Sequence, residues 1–226
     1  ALKNISFKVK EGTTLAIFGK TGSGKSTIAN LICRIYDAED GKIYLGENEL
    51  EKLNLKLLRK AIGYAPQDGD LFSGTVEENI SFGNDEISEE KIKKVAATAE
   101  ITSDISNFSE KYKTIVGERG VQLSGGQRQR IAIARAIYKS PSIFIFDDCL
   151  SAVDSSKEQK ILSNLKNETN KRTTIIISHR ISAIQNADLI LVLEDGKLTE
   201  KGTHQMLINN KGFYYDIFQK QNKKES

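Results

Sequence analysis

The sequence predicts an α/β fold with a mainly parallel central sheet, a small antiparallel β lobe toward the N-terminus, and an inserted lobe of helices. Three observations lead there. Short continuous runs of β-branched and aromatic residues (Ala16–Gly19, Ile143–Phe146, Thr174–Ile177) have the length and content of strands buried on both faces. Each run leads into a polar or glycine-rich end, at Gly19–Ser26, at Asp147 and Asp148, and at Ser178 and His179. Open α/β sheets place their ligands at such carboxyl ends. Between about Gly69 and Ile137 the pattern turns mostly helical.

The elements follow in order. Leu2 to Val9 alternates apolar and polar, which predicts a strand. Thr14 to Gly19 predicts the first buried strand. Ile28, Leu31, Ile32 and Ile35 recur at i, i+3, i+4 and i+7, one face of a helix that opens near Lys25. Lys42–Leu45 and Lys197–Glu200 predict hairpin or edge strands, Ser88–Glu100 predicts a helix, and Ser124 opens another. The expected organisation is a single domain. Residues 1–68 and 138–226 form the β lobe and core, and 69–137 form the inserted helical subdomain.

The chain has 226 residues, enough for a full core, with 28% charged residues and a net charge of +3. That balance lacks the basic excess of a nucleic-acid binder, so no nucleic-acid partner is expected. The Lys-rich end from Gln219 to Ser226 is expected to be a solvated tail. Cys33 and Cys149 match no metal spacing and are expected to act as small buried hydrophobes in a reducing compartment. No apolar run reaches the length of a membrane span. Ala1 in place of Met, running straight into a strand pattern, suggests a piece of a longer protein.

The strongest motif is Gly19, Lys20, Thr21, Gly22, Ser23, Gly24, Lys25, Ser26, which fits G-x-x-x-x-G-K-[ST] between a strand and a helix start. Glycines let backbone N–H groups close around phosphate oxygens, and the helix N-terminus adds partial positive charge. Lys25 then reaches the β- and γ-phosphates, and the Ser26 hydroxyl can ligate Mg²⁺. The pattern implies a nucleoside triphosphate site. A second signal is Leu123, Ser124, Gly125, Gly126, Gln127, where a capping serine and two glycines open a helix as another anion-binding end.

These motifs, in this order, resemble the nucleotide-binding domain of ATP-binding cassette (ABC) transporters over nearly the whole chain. The resemblance implies a P-loop NTPase (RecA-like) core, with ATP and Mg²⁺ as ligands. It implies that Gly19 to Thr27 hold the phosphates, with Ser26, Gln67 and Asp147 at the metal. Asp148, His179 and Gln67 would organise the attacking water and the γ-phosphate. In this family two such domains pair head to tail. Ser124, Gly125, Gly126 and Gln127 would therefore act on ATP held by a second nucleotide-binding domain. A transmembrane domain N-terminal to residue 1 and a place at the cytoplasmic face of a membrane are implied as well.

Thr114 to Gly120 (with Glu118 and Arg119), Leu58-Arg59, Ser178-His179-Arg180 and Gly202-Thr203-His204 are similar to exporter members; His204 itself suggests a surface turn residue with no catalytic part. Two departures stand out. Asp148 occupies the position where the family usually has glutamate, one methylene longer. A misplacement of about 1 Å can cost on the order of 10²-fold in rate. An intact signature beside an altered base resembles the subunit of a heterodimeric exporter that carries the weak site. It implies a partner with glutamate at that position and an irregular signature. The other departure is that the aromatic residue on which the family stacks adenine would precede Leu2. Tyr36, Tyr44 and Tyr64 stand elsewhere and suggest core or surface aromatics, so weakened ATP affinity is expected. Two rivals remain: a non-hydrolysing regulatory ATP-binding module, and a soluble ABC ATPase of DNA maintenance or translation.

Overall fold

The computed structural model describes residues 2–84, 87–118, 120–168 and 172–225. The chain divides into two compact units, residues 1–62 with 171–226, and residues 63–170.

In the first unit, Thr14–Gly19 runs parallel to both Thr173–Ser178 and Leu189–Glu194. Lys197–Gly202 closes that edge antiparallel to Leu189–Glu194, with a bulge between Leu198 and Glu200. Leu15 to Phe18 and Ile190 to Leu193 are buried without alternation, as strands covered on both faces require. One cover is the cluster of Ala16, Phe18, Ile190 and Val192 with Ile181, Ile184, Leu207 and Tyr214. Leu207 comes from the helix His204–Asn210, capped by Thr203, and Tyr214 from the C-terminal helix Phe213–Glu225. That helix contains most of the segment expected to be a solvated tail. A short hairpin pairs Tyr44–Leu45 with Asn48–Glu49.

Two expectations from periodicity differ. Leu2–Val9 forms no strand: Asn4 takes φ 50° and interrupts the extended run, and burial alternates only beyond it, from Ile5 to Val9. The helix Lys25–Ile32 stops before Ile35, since Arg34 enters the left-handed region at φ 48°. Ile35 is then 48% exposed.

The second unit is mostly helical around a short strand pair, Ile143–Asp147 beside Ile62–Ala65. Its helices include Val76–Ser81, closed by a capping box between Thr75 and Glu78, and Glu89–Thr98, capped by the Ser88 side chain. Thr102–Ser106, Gly125–Tyr138 and Ser155–Glu168 follow. Gly125–Tyr138 is the unit's central helix, buried from Gln129 to Ala134 and again at Ala136 to Tyr138. A two-residue ladder joins Gly74–Thr75 to Ile115–Val116. The α/β class with a mainly parallel sheet and small antiparallel additions is the observed one. Among the described residues no helix is long and apolar enough to cross a membrane.

Candidate nucleotide-binding site

The first unit holds the phosphate loop and His179. Gly19 ends its strand, and the loop turns through Gly22 and Gly24 at φ 82° and 97°, values that favour glycine. Gly24 is the N-cap of Lys25–Ile32 and supplies no side-chain cap, leaving the helix N-terminus to another acceptor. Ser23 is buried, and its Oγ has no hydrogen-bond partner among the described residues. The Lys25 side chain doubles back: Nζ donates to the carbonyls of Gly19 and Lys20, both at 2.9 Å, pinning the loop in its curl. Ser26 and Thr27 lie half-buried in the first helical turn, whereas Lys20 and Thr21 are exposed. A cradle with an orphaned hydroxyl, an uncapped helix end and a lysine at its floor fits the phosphates of a Mg²⁺-nucleotide.

His179 follows the strand Thr173–Ser178 and is exposed. With Gly19, Lys20 and Thr21 it lines an open cavity of about 400 Å³, whose other walls are Phe18, Phe213 and Ile217. Lys20 Nζ lies 5.2 Å from the centre of the Phe213 ring.

The second unit holds the remaining candidates. Gln67 is exposed just beyond Ile62–Ala65. Its carbonyl accepts from Gln129 Nε2 at 2.8 Å. The same amide donates to Ser151 Oγ at 3.0 Å and accepts the Ala152 N–H at 2.9 Å. One buried glutamine thus ties the Gln67 backbone to the Ser151–Asp154 turn. Asp147 is the buried last residue of its strand and accepts from the Tyr64 hydroxyl at 3.2 Å. Asp148 is half-buried with φ 46°, a left-handed conformation that aspartate tolerates better than most residues. Asp154 accepts the Lys157 N–H at 2.9 Å and the Ser156 hydroxyl at 2.8 Å, which hold its carboxyl below the usual range.

Ser124 caps Gly125–Tyr138 through a capping box with Gln127. The helix start packs closely: a Cβ on Gly126 would sit 2.7 Å from the Ala152 carbonyl oxygen, which only glycine avoids. Gln127 Nε2 also donates to Asp104 Oδ1 at 2.9 Å. Asp104 pairs with buried Arg130 at 2.6 Å, and Arg130 Nε reaches the Gly126 carbonyl at 3.1 Å. Burial pushes the Asp104 carboxyl up, but the hydrogen bonds from Arg130 and Gln127 outweigh it and hold it below its usual value.

Several of these residues have no local signal of their own. Gln129 and Arg130 stand out only as polar residues in a helix that is otherwise apolar inward. Asp104 and Tyr64 acquire their contacts through the fold. His204 is more than a turn residue: its Nδ1 lies 2.8 Å from the Tyr214 hydroxyl, and its ring packs edge-on against Tyr214 and Phe218. Tyr36 and Tyr44 are exposed, and Cys33 and Cys149 are buried and form no disulfide among the described residues. Glu118 is exposed, while Arg119 lies outside the described residues.

Residues 2–151 match the family model described as ABC transporter. The chain belongs to the ABC transporter family. Within it, the chain has the character of an exporter-type nucleotide-binding domain. It is 48% identical over 220 residues to "ABC transporter B family member 4" of Dictyostelium discoideum, covering 97% of this chain and 29% of that protein. It is 44% identical to the "Probable multidrug resistance ABC transporter ATP-binding/permease protein YheI" of Bacillus subtilis, covering 97% of this chain and 38% of that one. The structure titled "Structure of a bacterial Atm1-family ABC exporter with ATP bound" matches 98% of this chain and 39% of its own, at 42% identity and a TM-score of 0.94. This ABC domain therefore spans only about a third of the length of such relatives.

Proposed function

We propose that this chain binds ATP with Mg²⁺, closes head to tail on a second nucleotide-binding domain, and uses ATP hydrolysis to drive export through an attached transmembrane domain at the cytoplasmic face of a membrane. The observation that carries the reading is the phosphate cradle, where among the described residues buried Ser23 Oγ has no hydrogen-bond partner and no side chain caps the Lys25–Ile32 helix. Gly19 to Thr27 bind the phosphate chain through backbone N–H groups and Lys25. Ser26, Asp147 and Gln67 would hold Mg²⁺, and the ion would supply positive charge to offset that of the phosphates. His179 orients the γ-phosphate from the rim of the loop. Water attacks the γ-phosphorus, its bond to the bridging oxygen breaks, and Asp148 takes the water's proton, leaving ADP and phosphate. Segment 69–137 acts as the helical lobe that presents Ser124 to Gln127 to the partner's ATP.

Asp148 makes this site slow. Its carboxylate is one methylene short of the usual glutamate, and a base must come within hydrogen-bond reach of the proton it takes. The natural partner then carries glutamate at that position together with an irregular signature. The short Asp148 side chain also favours a second reading, a module that binds ATP persistently and gates its partner without turning over.

The test is steady-state turnover of the chain and its Asp148→Glu variant in excess Mg²⁺-ATP. Near-zero turnover that rises by about tenfold or more in the variant supports the weak-site reading, by the geometric sensitivity of such bases. Brisk turnover in the unmodified chain overturns it. Absence of ATP binding overturns the whole assignment.

A further inference from the structure

Phe213, Ile217 and Gln221 recur at i, i+4 and i+8 along the C-terminal helix, so they share one face. The first two line the cavity together with Gly19, Lys20, Thr21 and His179. The third makes two hydrogen bonds to the segment that carries His179. Gln221 Nε2 donates to the His179 carbonyl at 2.8 Å, and Gln221 Oε1 accepts the Ile181 N–H at 2.9 Å. Ile181 opens the short helix Ile181–Ile184, whose N-cap, Arg180, supplies no capping side chain. Gln221 fills that role from 40 residues further along the chain. Between its two contacts, Ser178 Oγ accepts the Arg180 N–H at 3.0 Å. The backbone is therefore fixed at His179, Arg180 and Ile181 while the His179 ring stays at the cavity rim.

We propose that Gln221 is a positioning residue for His179, the contact through which the C-terminal helix sets the His179 segment beside the phosphate-loop cavity. The helix is itself anchored, because Tyr214 is fully buried and bonded to His204, and Phe218 packs against the same imidazole. A primary amide is the side chain this geometry requires. It donates at one end to a carbonyl and accepts at the other from an N–H, which neither a carboxylate nor an ammonium does. The role of His179 toward the γ-phosphate rests on the function proposed above; the contact between Gln221 and the His179 segment does not.

The chain contains two histidines, so imidazole resonances of the labelled full chain report His179 and His204 separately. In Gln221→Ala without nucleotide, the His179 signal is expected to shift or broaden while His204 stays in place. ATP affinity, read by a fluorescent ATP analogue, is expected to change by less than about threefold, since the phosphate loop is untouched. The shift of His179 on adding Mg²⁺-ATP is expected to fall to half or less. Gln221→Glu keeps the acceptor for Ile181 but sets a carboxylate against the His179 carbonyl, so its His179 signal should be displaced too. An unchanged His179 signal in Gln221→Ala overturns the proposal, and so does equal displacement of His204, which would mean general loosening of the helix. Failure of the unmodified chain to bind ATP is a separate result that overturns the nucleotide reading, because the nucleotide-free spectrum tests the contact by itself.

Discussion

Replacing Asp104 by Asn removes one charge from a buried pair and leaves its shape. The Arg130 side chain is 5% exposed and that of Asp104 17%. Asp104 accepts from Arg130 at 2.6 and 3.3 Å and from Gln127 at 2.9 Å. Breaking a buried pair from one side costs about 3–5 kcal/mol, because the surviving charge stays desolvated. Water reaches one edge of Asp104, and asparagine retains an acceptor oxygen, so the cost drops by about 1 kcal/mol, to about 2–4 kcal/mol. For a domain of this size each kcal/mol moves Tm by about 2–4 °C, giving a fall of about 4–16 °C at neutral pH. Calorimetry on Asp104→Asn, Arg130→Met and the double variant gives the coupling directly, expected at about 1–3 kcal/mol. The loss is also pH-dependent. The folded carboxyl is held below its unfolded value, so its stabilisation is full above about pH 4 and fades as pH falls through the folded value. The gap between wild type and variant should therefore narrow in acid. A Tm fall under about 2 °C with coupling under about 0.5 kcal/mol would refute the reasoning.

Two further predictions concern titratable groups elsewhere. Cys149 is 2% exposed and burial pushes its thiol up, while Cys33 is 7% exposed. Neither should react with a thiol reagent until the chain unfolds, and labelling of either at the rate of a free thiol in native buffer would contradict the packing. Burial lowers the His204 pKa, so its resonance should titrate below the ordinary value of about 6.5. Below that pH the unfolded chain takes up a proton before the folded one does, so His204 makes stability decline as the solution is acidified from about pH 6.5 toward the folded value. A midpoint at or above about 6.5 would remove the effect.

Local chemistry made much of this protein legible from sequence. The continuous apolar runs at Ile143 and Thr174 are strands because β-branched residues covered on both faces need no alternation. Ser88 and Ser124 start helices because their hydroxyls accept backbone N–H groups within the next turn. The phosphate loop is equally local, since its eight positions are consecutive, from the end of one strand to the start of the next helix. Periodicity failed where backbone dihedrals overruled it. The Leu2–Val9 alternation is broken at Asn4, and the helix from Lys25 stops short of Ile35.

Only the tertiary structure decided which side chains hold those motifs in place. Gln129 meets Gln67, Ser151 and Ala152 across separations of 62, 22 and 23 residues. Gln221 meets His179 from 42 residues away, out of a segment whose composition suggested a solvated tail. A polar side chain carries no mark of its distant partner, because a hydrogen bond depends on where two groups meet in space and not on their spacing along the chain. The sequence therefore determined the chemistry that this domain can perform, through motifs short enough for a single turn to fix. Which glutamine, aspartate or tyrosine steadies that chemistry was settled only when folding brought separated backbones to within about 3 Å.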